Sequence, residues 1–378
     1  MTPVCVGDYR ALARRRVPRV LFDYLDGGAY AEATLARNLS DLEAIALRQR
    51  VLRDVSSLSM ATDFFGLRAS MPLALAPIGM AGMYARRGEV QAMRAARAAG
   101  VPMCLSTVSV CDLAEVTRDG GAPPWFQLYM IRDRGFMAEV LARAADLGSP
   151  VLVFTVDLPV PGARYRDARN GLFGAGPATE IARAIDGLSH PGWLLDVWFG
   201  GGPHRFGNIA AAIPEARGIL EFWPWVGRNF DPTLTWKDLD WIRAHWKGPI
   251  LLKGVLDAED ARMAADAGLE GLVVSNHGGR QLDGVLSGAA ALPAIAEAVG
   301  ERMTVLMDGG VRSGLDLLKA LALGADGVLI GRAWAYALAA RGEKGVAHVL
   351  EIIRQELAVA MALTGCTDVR KAGRDLLA

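Results

Sequence analysis

Eight short apolar runs recur along the chain after residue 65, each followed by a stretch in which alanine and leucine return at the spacing of an amphipathic helix. The runs begin at Leu73, Val101, Trp125, Val151, Ile250, Gly271, Thr304 and Gly327. Most of them, such as LALAP, VLVFTVD, ILLKG, GLVVSN and TVLMDG, stay apolar almost to their last positions. Strands of that kind are buried on both faces, as a parallel sheet requires. The segments between them, GEVQAMRAARAAG and SGLDLLKALALGADG among others, stop at a glycine as helices commonly do. Eight strand-helix units with no GxGxxG after the first strand predict an α/β chain closed into a (β/α)8 TIM barrel rather than an open doubly wound sheet.

Two segments break the rhythm. Residues 1–65 precede the first strand and read as an N-terminal helical segment. Val151 and Ile250 lie 99 residues apart, against 21 to 33 for the other neighbours, so an insertion of about 70 residues, placed at 159–235, follows the fourth strand. The whole of 1–378 is read as one domain. The insertion is rich in aromatics, with Trp193, Trp198, Phe199, Phe206, Phe222, Trp223 and Trp225. It suits an active-site lid, an oligomer contact or a membrane-surface patch; irregular packing against the barrel is the plainer option. The C-terminal stretch VAHVLEIIRQELAVAMALTG has an apolar face, most simply one that covers its own barrel.

Composition narrows the function. Lys+Arg and Asp+Glu both number 41 and aromatics make up 7%, which argues against nucleic acid as a partner, because phosphate neutralisation needs a clustered basic excess. Cys5, Cys104, Cys111 and Cys366 show no CxxC pairing, so reduced thiols in a cytoplasmic chain and no bound metal are expected. Asp8 and the early arginines interrupt any signal-like apolar core. The longest uncharged run, Ala69 to Ala85, contains Pro72, Pro77, Gly79 and Gly82 and does not suit a membrane span.

The chemistry of such a barrel sits at the carboxyl ends of its strands. There the sequence gathers Ser106 and Thr107, Gln127 and Tyr129, Thr155 and Asp157, Lys253, then Ser275, Asn276 and His277, and finally Asp308, Gly309 and Gly310 with Gly331 and Arg332. Ionisable groups collected at a buried rim imply a polar ligand. The last two loops, DGGVRSG and LIGRAW, each open a helix beside an arginine, Arg312 or Arg332, which is the usual place for a phosphate.

FDYLDGGA, LAPIG, WFQLY, FTVDLPVPGARYRD, LLKG, VVSNHGGRQLD, DGGVRSG and IGR together resemble the FMN-dependent α-hydroxy-acid dehydrogenase and oxidase family across nearly the whole chain. STVSVC, HPGWLLDVW and NFDPTLTWKDL are most similar to its bacterial respiratory L-lactate branch, with the mandelate branch adjacent. The resemblance implies FMN held by the backbone of Ala76, Pro77 and Ile78, by Ser106, Gln127 and Thr155, and by Lys253. It places Asp308 on the ribityl chain and the phosphate on Gly310, Arg312, Gly331 and Arg332. An ammonium at Lys253 suits the negative charge that builds on a reduced flavin. A lysine merely paired with a carboxylate is disfavoured by its apolar strand.

For the substrate, the resemblance assigns the carboxylate to Arg164 and Arg280, whose guanidinium forks match its geometry, with Tyr24 and Tyr129 as hydrogen-bond donors. His277 would be the general base and Asp157 would stabilise its imidazolium. Whether the C2 proton or the hydroxyl proton leaves first is open; both use the same base. His190, His204, His245 and His348 read as surface or packing residues. Gly79 and Val108 are implied near the substrate side chain, leaving room for lactate or an aryl acid. With no haem motif, the implied acceptor is a quinone or another respiratory carrier, reached from the inner face of the cytoplasmic membrane through Trp193, Trp198, Trp223 and Trp225. A homotetramer is also implied. The alternatives are a peroxide-forming oxidase and a flavin- or phosphate-binding barrel that turns nothing over.

Overall fold

The computed structural model describes residues 2–172, 176–212, 219, 225 and 227–378. Eight parallel strands form its centre: β1 (Leu73–Leu75), β2 (Cys104–Ser106), β3 (Trp125–Leu128), β4 (Leu152–Thr155), β5 (Ile250–Val255), β6 (Gly271–Val274), β7 (Thr304–Asp308) and β8 (Gly327–Ile330). Hydrogen bonding runs in the order β1-β8-β7-β6-β5-β4-β3-β2. The ring is closed by a parallel bridge between Leu75 and Met103, with the Leu75 amide donating to the Pro102 carbonyl at 2.9 Å. The chain is therefore a (β/α)8 barrel.

Six strands begin where the apolar pattern places them. β2 starts at Cys104 rather than Val101, because Val101 still donates to the Ala96 carbonyl at the end of the preceding helix. β4 starts at Leu152, and Val151 lends its carbonyl to Phe126 of β3.

The N-terminal segment holds three helices, Val6–Arg16, Arg19–Asp26 and Ala33–Ala44, but it is not helical throughout. Thr62–Phe64 pairs antiparallel with Leu67–Ala69 in a hairpin that drives Phe64 into the bottom of the barrel. There Phe64 meets Trp125 edge-on, with centroids 5.9 Å apart. A Cβ on Gly327 would lie 2.6 Å from the Phe64 ring, so that glycine is required by the plug. Short strands forced the misreading: three residues carry too little period to stand out beside helices.

The last helix, Arg332–Thr364, bends at Arg341 and Gly342 and buries Val346, Val349, Leu350, Ile353, Leu357 and Met361 against its own chain. Among its described residues the insertion is largely helical rather than irregular, with Tyr165–Arg169, Pro177–Leu188 and Pro191–Trp193, the last running on into a π-helix at Leu194–Phe199. The Trp193 indole donates to the Met83 carbonyl at 2.7 Å, and Arg16 pairs with Asp196 at 2.7 Å. Phe222 and Trp223 lie outside the described residues.

Candidate active site

One cavity opens at the carboxyl ends of the strands. His277 stands over it on a turn in which His277, Gly278 and Gly279 all take positive φ, at 57°, 65° and 74°. The two glycines are obligatory for space as well. A Cβ on Gly278 would meet the Arg332 guanidinium at 2.8 Å, and one on Gly279 the Leu35 amide at 2.6 Å. A histidine in the left-handed region is uncommon, and its strain is held by neighbours. Its amide donates to Ser275 Oγ at 3.0 Å, and Lys253 Nζ donates to the same oxygen at 2.8 Å.

His277 Nδ1 lies 2.9 Å from Asp157 Oδ1, and Nε2 lies 3.2 Å from the Tyr129 hydroxyl. Burial by itself pushes the Asp157 carboxyl up, but His277 and Lys253 outweigh it and hold the group below the usual carboxylate range. Burial lowers the His277 imidazole below its ordinary value, with Asp157 opposing and Lys253 and Arg164 adding to the fall. At neutral pH the pair is thus a carboxylate and a neutral imidazole whose Nδ1 donates to Asp157, which leaves Nε2 as the basic nitrogen, accepting from the Tyr129 hydroxyl. Gly254 (φ 110°) makes the approach possible, since a Cβ there would meet the Asp157 Cβ at 2.6 Å.

Lys253 does have the carboxylate partner that its apolar strand argued against. Its ammonium lies 2.7 Å from Asp308 Oδ2, both groups being buried. Burial would lower the lysine, but Asp308 and Asp157 outweigh it and keep the ammonium charged. Asp308 Oδ1, Thr155 Oγ1 and Gln127 Nε2 are buried without a partner, while Gln127 Oε1 accepts from Ser106 at 3.1 Å. Ala76 commits its amide to Ile330 and its carbonyl to the Trp334 indole, so Pro77 and Ile78 carry the polar backbone left to this wall. Asn276 turns away from the cavity to exchange hydrogen bonds with Asn38.

Arg164 and Arg280 converge over the Tyr24 ring at 5.7 and 4.7 Å. Arg280 is anchored by the carbonyls of Tyr24 and Gly27, and Arg164 by the Arg280 carbonyl at 3.3 Å. At the other end of the cavity Gly310 (φ 90°) faces Arg312 and the start of the Arg332 helix, which has no side-chain cap at Gly331. Gly310 is also demanded by the Ala33–Ala44 helix, whose Asn38 carbonyl would lie 1.9 Å from a Cβ. Arg332 gives three of its N–H groups to the carbonyls of Leu25, Gly27 and Gly278. It therefore ties down the N-terminal segment and the His277 turn, a duty absent from the sequence reading. Burial lowers its guanidinium to about 10.

Tyr84, Leu158 and Phe230 also line the cavity; Leu158 and Phe230 stand within FTVDLPVPGARYRD and NFDPTLTWKDL but carry no role in the sequence reading, and Tyr84 stands in no such motif. Phe230 is seated by an antiparallel bridge between Ile131 and Phe230 and packs on Tyr129 at 5.2 Å between centroids. Among the described residues no group of three or more His, Cys, Asp or Glu side chains is arranged to hold a metal.

A barrel whose carboxyl end joins an acid-base pair, a buried lysine and an arginine-flanked helix start defines a class of barrel enzyme that moves protons beside a bound phosphate-bearing group. The comparisons make the class specific. Residues 13–378 match the model of the FMN-dependent dehydrogenases, and the chain belongs to that family. It is 64% identical over 371 residues to a protein named L-lactate dehydrogenase from Caulobacter sp. (strain K31), covering 98% of this chain and 97% of that one. It is 56% identical over 371 residues to the L-lactate dehydrogenase of Azorhizobium caulinodans, with the same coverage. The crystal structure of the monotopic membrane protein (S)-mandelate dehydrogenase superposes with a TM-score of 0.93 at 36% identity, covering 100% of both chains. A mandelate oxidase gives 0.84 at 41%, covering 100% of this chain and 98% of that one.

The family's FMN fits the residues present. Unpartnered Gln127, Thr155 and Asp308 atoms line one part of the barrel end, and an uncapped helix start flanked by the buried Arg332 and the half-buried Arg312 supplies the other. Those are a flavin's polar edge and a phosphate, in chemical terms.

Proposed function

We propose that this enzyme oxidises L-lactate to pyruvate with bound FMN and passes the electrons to a respiratory quinone. The observation that carries the reading is the row Asp157, His277, Tyr129 beside the Arg164 and Arg280 pair, at the lysine end of an FMN-family barrel. Bound FMN supplies the two-electron acceptor. It would be held by the backbone of Pro77 and Ile78 with Ala76 lining the wall beside them, by Ser106, Gln127, Thr155, Lys253 and Asp308, and at its phosphate by Gly310, Arg312, Gly331 and the helix start at Arg332, whose guanidinium is itself committed to three carbonyls.

The remaining work is done by side chains. Arg164 and Arg280 grip the acid's carboxylate and fix which face of C2 is presented. Tyr24 and Tyr129 orient its oxygens. His277 Nε2 takes a proton, and Asp157, already ionised, stabilises the imidazolium that results. Val108 stands beside Gly79 at this part of the cavity, its Cγ2 2.9 Å from where a Cβ on Gly79 would lie. The sequence relatives at 56–64% identity carry the lactate name, against mandelate for structures at 36–41%.

Access to quinone is supported by the insertion. Ile181, Ile185 and Leu188 share one face of the Pro177–Leu188 helix and are exposed, together with Leu195, Trp198 and Phe199. Of the four tryptophans, Trp198 belongs to this patch, whereas Trp193 is buried on Met83, Trp225 is half-buried and Trp223 lies outside the described residues. Peripheral contact with the inner face of the cytoplasmic membrane follows as part of the proposal; among the described residues no helix is long and apolar enough to cross it. A homotetramer, as the family resemblance implies, belongs to the same proposal and is checked by sedimentation.

Anaerobic bleaching of the flavin by a panel of L-2-hydroxy acids tests the reaction. L-lactate should bleach fastest; a faster response to mandelate transfers the assignment to that acid, and no response to any acid ends it. Peroxide release in air, with no reduction of a quinone analogue, would make the enzyme an oxidase.

A further inference from the structure

Tyr84 is fully buried and lines the cavity with Tyr24, Gly79, Arg164 and Arg280, yet its hydroxyl has no hydrogen-bond partner. Buried polar groups are almost always paired, and a phenylalanine would fill the same space without that cost. The residue is not loosely placed. Its amide donates to the Ala81 carbonyl at 3.0 Å, and its carbonyl accepts from Arg16 Nη1 at 3.1 Å. Burial, reinforced by Tyr24 and opposed by Arg280, pushes the phenol up, so it remains an O–H donor.

A donor on this wall needs an acceptor, and the arginines supply none. Asp167, a buried carboxyl 3.9 Å from Arg164, and the buried Glu89 both act on the phenol electrostatically, yet neither accepts a hydrogen bond from Tyr84. A ligand carboxylate brings two oxygens with about four lone-pair sites, more than two guanidinium contacts use up. We propose that Tyr84 is a further substrate-binding residue, its hydroxyl donating to the carboxylate of the 2-hydroxy acid beside Arg280. The inference rests on the reading of this cavity as a 2-hydroxy-acid site.

The test is Tyr84→Phe in the FMN-loaded enzyme, with steady-state kinetics on L-lactate and equilibrium binding of pyruvate followed through the flavin spectrum. A hydrogen bond to a charged group that persists into the transition state acts as uniform binding. KM for L-lactate and Kd for pyruvate should therefore both rise about ten- to a hundredfold, with kcat within about twofold and flavin content unchanged. Tyr84→Leu should raise both at least as far. Unchanged KM and Kd would overturn the proposal, as would loss of kcat alone or loss of bound flavin, which mark a structural role. If the unaltered enzyme is not bleached by any 2-hydroxy acid, the reading of the site fails and this inference with it; bleaching of the unaltered enzyme with an indifferent Tyr84→Phe defeats the inference alone.

Discussion

At the bottom of the barrel Phe64 and Trp125 meet edge to face among Ala74, Val151, Val153, Leu251 and Leu329, and every group there is apolar and packed. At the top, a few residues further along the same strands, the Lys253 and Asp308 charges are buried together, His277 sits at positive φ, and Gln127, Thr155, Asp157 and Asp308 each bury a polar atom with no partner. Both ends belong to one closed sheet, so the contrast is not a matter of fold. The upper end keeps strain and unmet hydrogen bonds because a ligand is meant to satisfy them, and the lower end supplies the stability that tolerates this.

The sharpest break of that contrast is His277→Gln. Gln can occupy the turn but cannot act as base, so kcat on L-lactate should fall about 10²- to 10⁴-fold while the melting temperature hardly moves. A comparable loss of thermal stability would show that the upper end also carries the fold. The unaltered enzyme gives a companion measurement. Because burial lowers the imidazole and Asp157 pulls it back up, kcat/KM should fall on the acid side only below the ordinary histidine range. Removing the Asp157 charge in Asp157→Asn deletes the opposing influence, so the acid limb should move to still lower pH as kcat drops.

The mirror-image experiment is Phe64→Ala. It empties the bottom of the barrel, where Phe64 is only 1% exposed, and should cost about 3–5 kcal/mol of stability in denaturant unfolding. Its KM for L-lactate should remain that of the unaltered enzyme, because the hairpin lies at the opposite end of the strands. A shifted KM would mean that the barrel transmits packing changes along its axis and that the two ends are not separate.

The same contrast decides what was legible in the sequence. Apolar runs such as VLVFTVD and ILLKG announce buried parallel strands, and the polar residue that ends each run, Asp157 or Lys253, marks the site because nothing else places a charge there. SNHGGRQ was readable as a turn, although the demands of Arg332 and Leu35 on its glycines emerge only in three dimensions. The hairpin carrying Phe64 was missed since three-residue strands have almost no periodicity, and the Arg332 clamp because an arginine beside a glycine loop looks the same whether it meets a phosphate or three carbonyls. Tyr84 and Phe230 belong to loops whose path is set by tertiary contacts, and a tyrosine or phenylalanine carries no local sign of facing a cavity.

The smallest effect is expected at the rim of the lower end, where Arg302 pairs with Asp266 at 2.5 Å and both side chains are at least half exposed. The contact is shorter than the 2.7 Å between Lys253 and Asp308, so distance alone would rank the exposed pair as the stronger. Solvent separates them. Water screens the exposed pair, and two long side chains must give up rotamer freedom to form it, so Arg302→Ala should change unfolding free energy by about 0–1 kcal/mol and less in high salt. The buried pair has no such screening: removing the lysine leaves a carboxylate in the barrel without its counter-ion, which typically costs about 3–5 kcal/mol. Equal losses from Arg302→Ala and Lys253→Met, measured side by side in denaturant, would show that water reaches the upper end as freely as the rim.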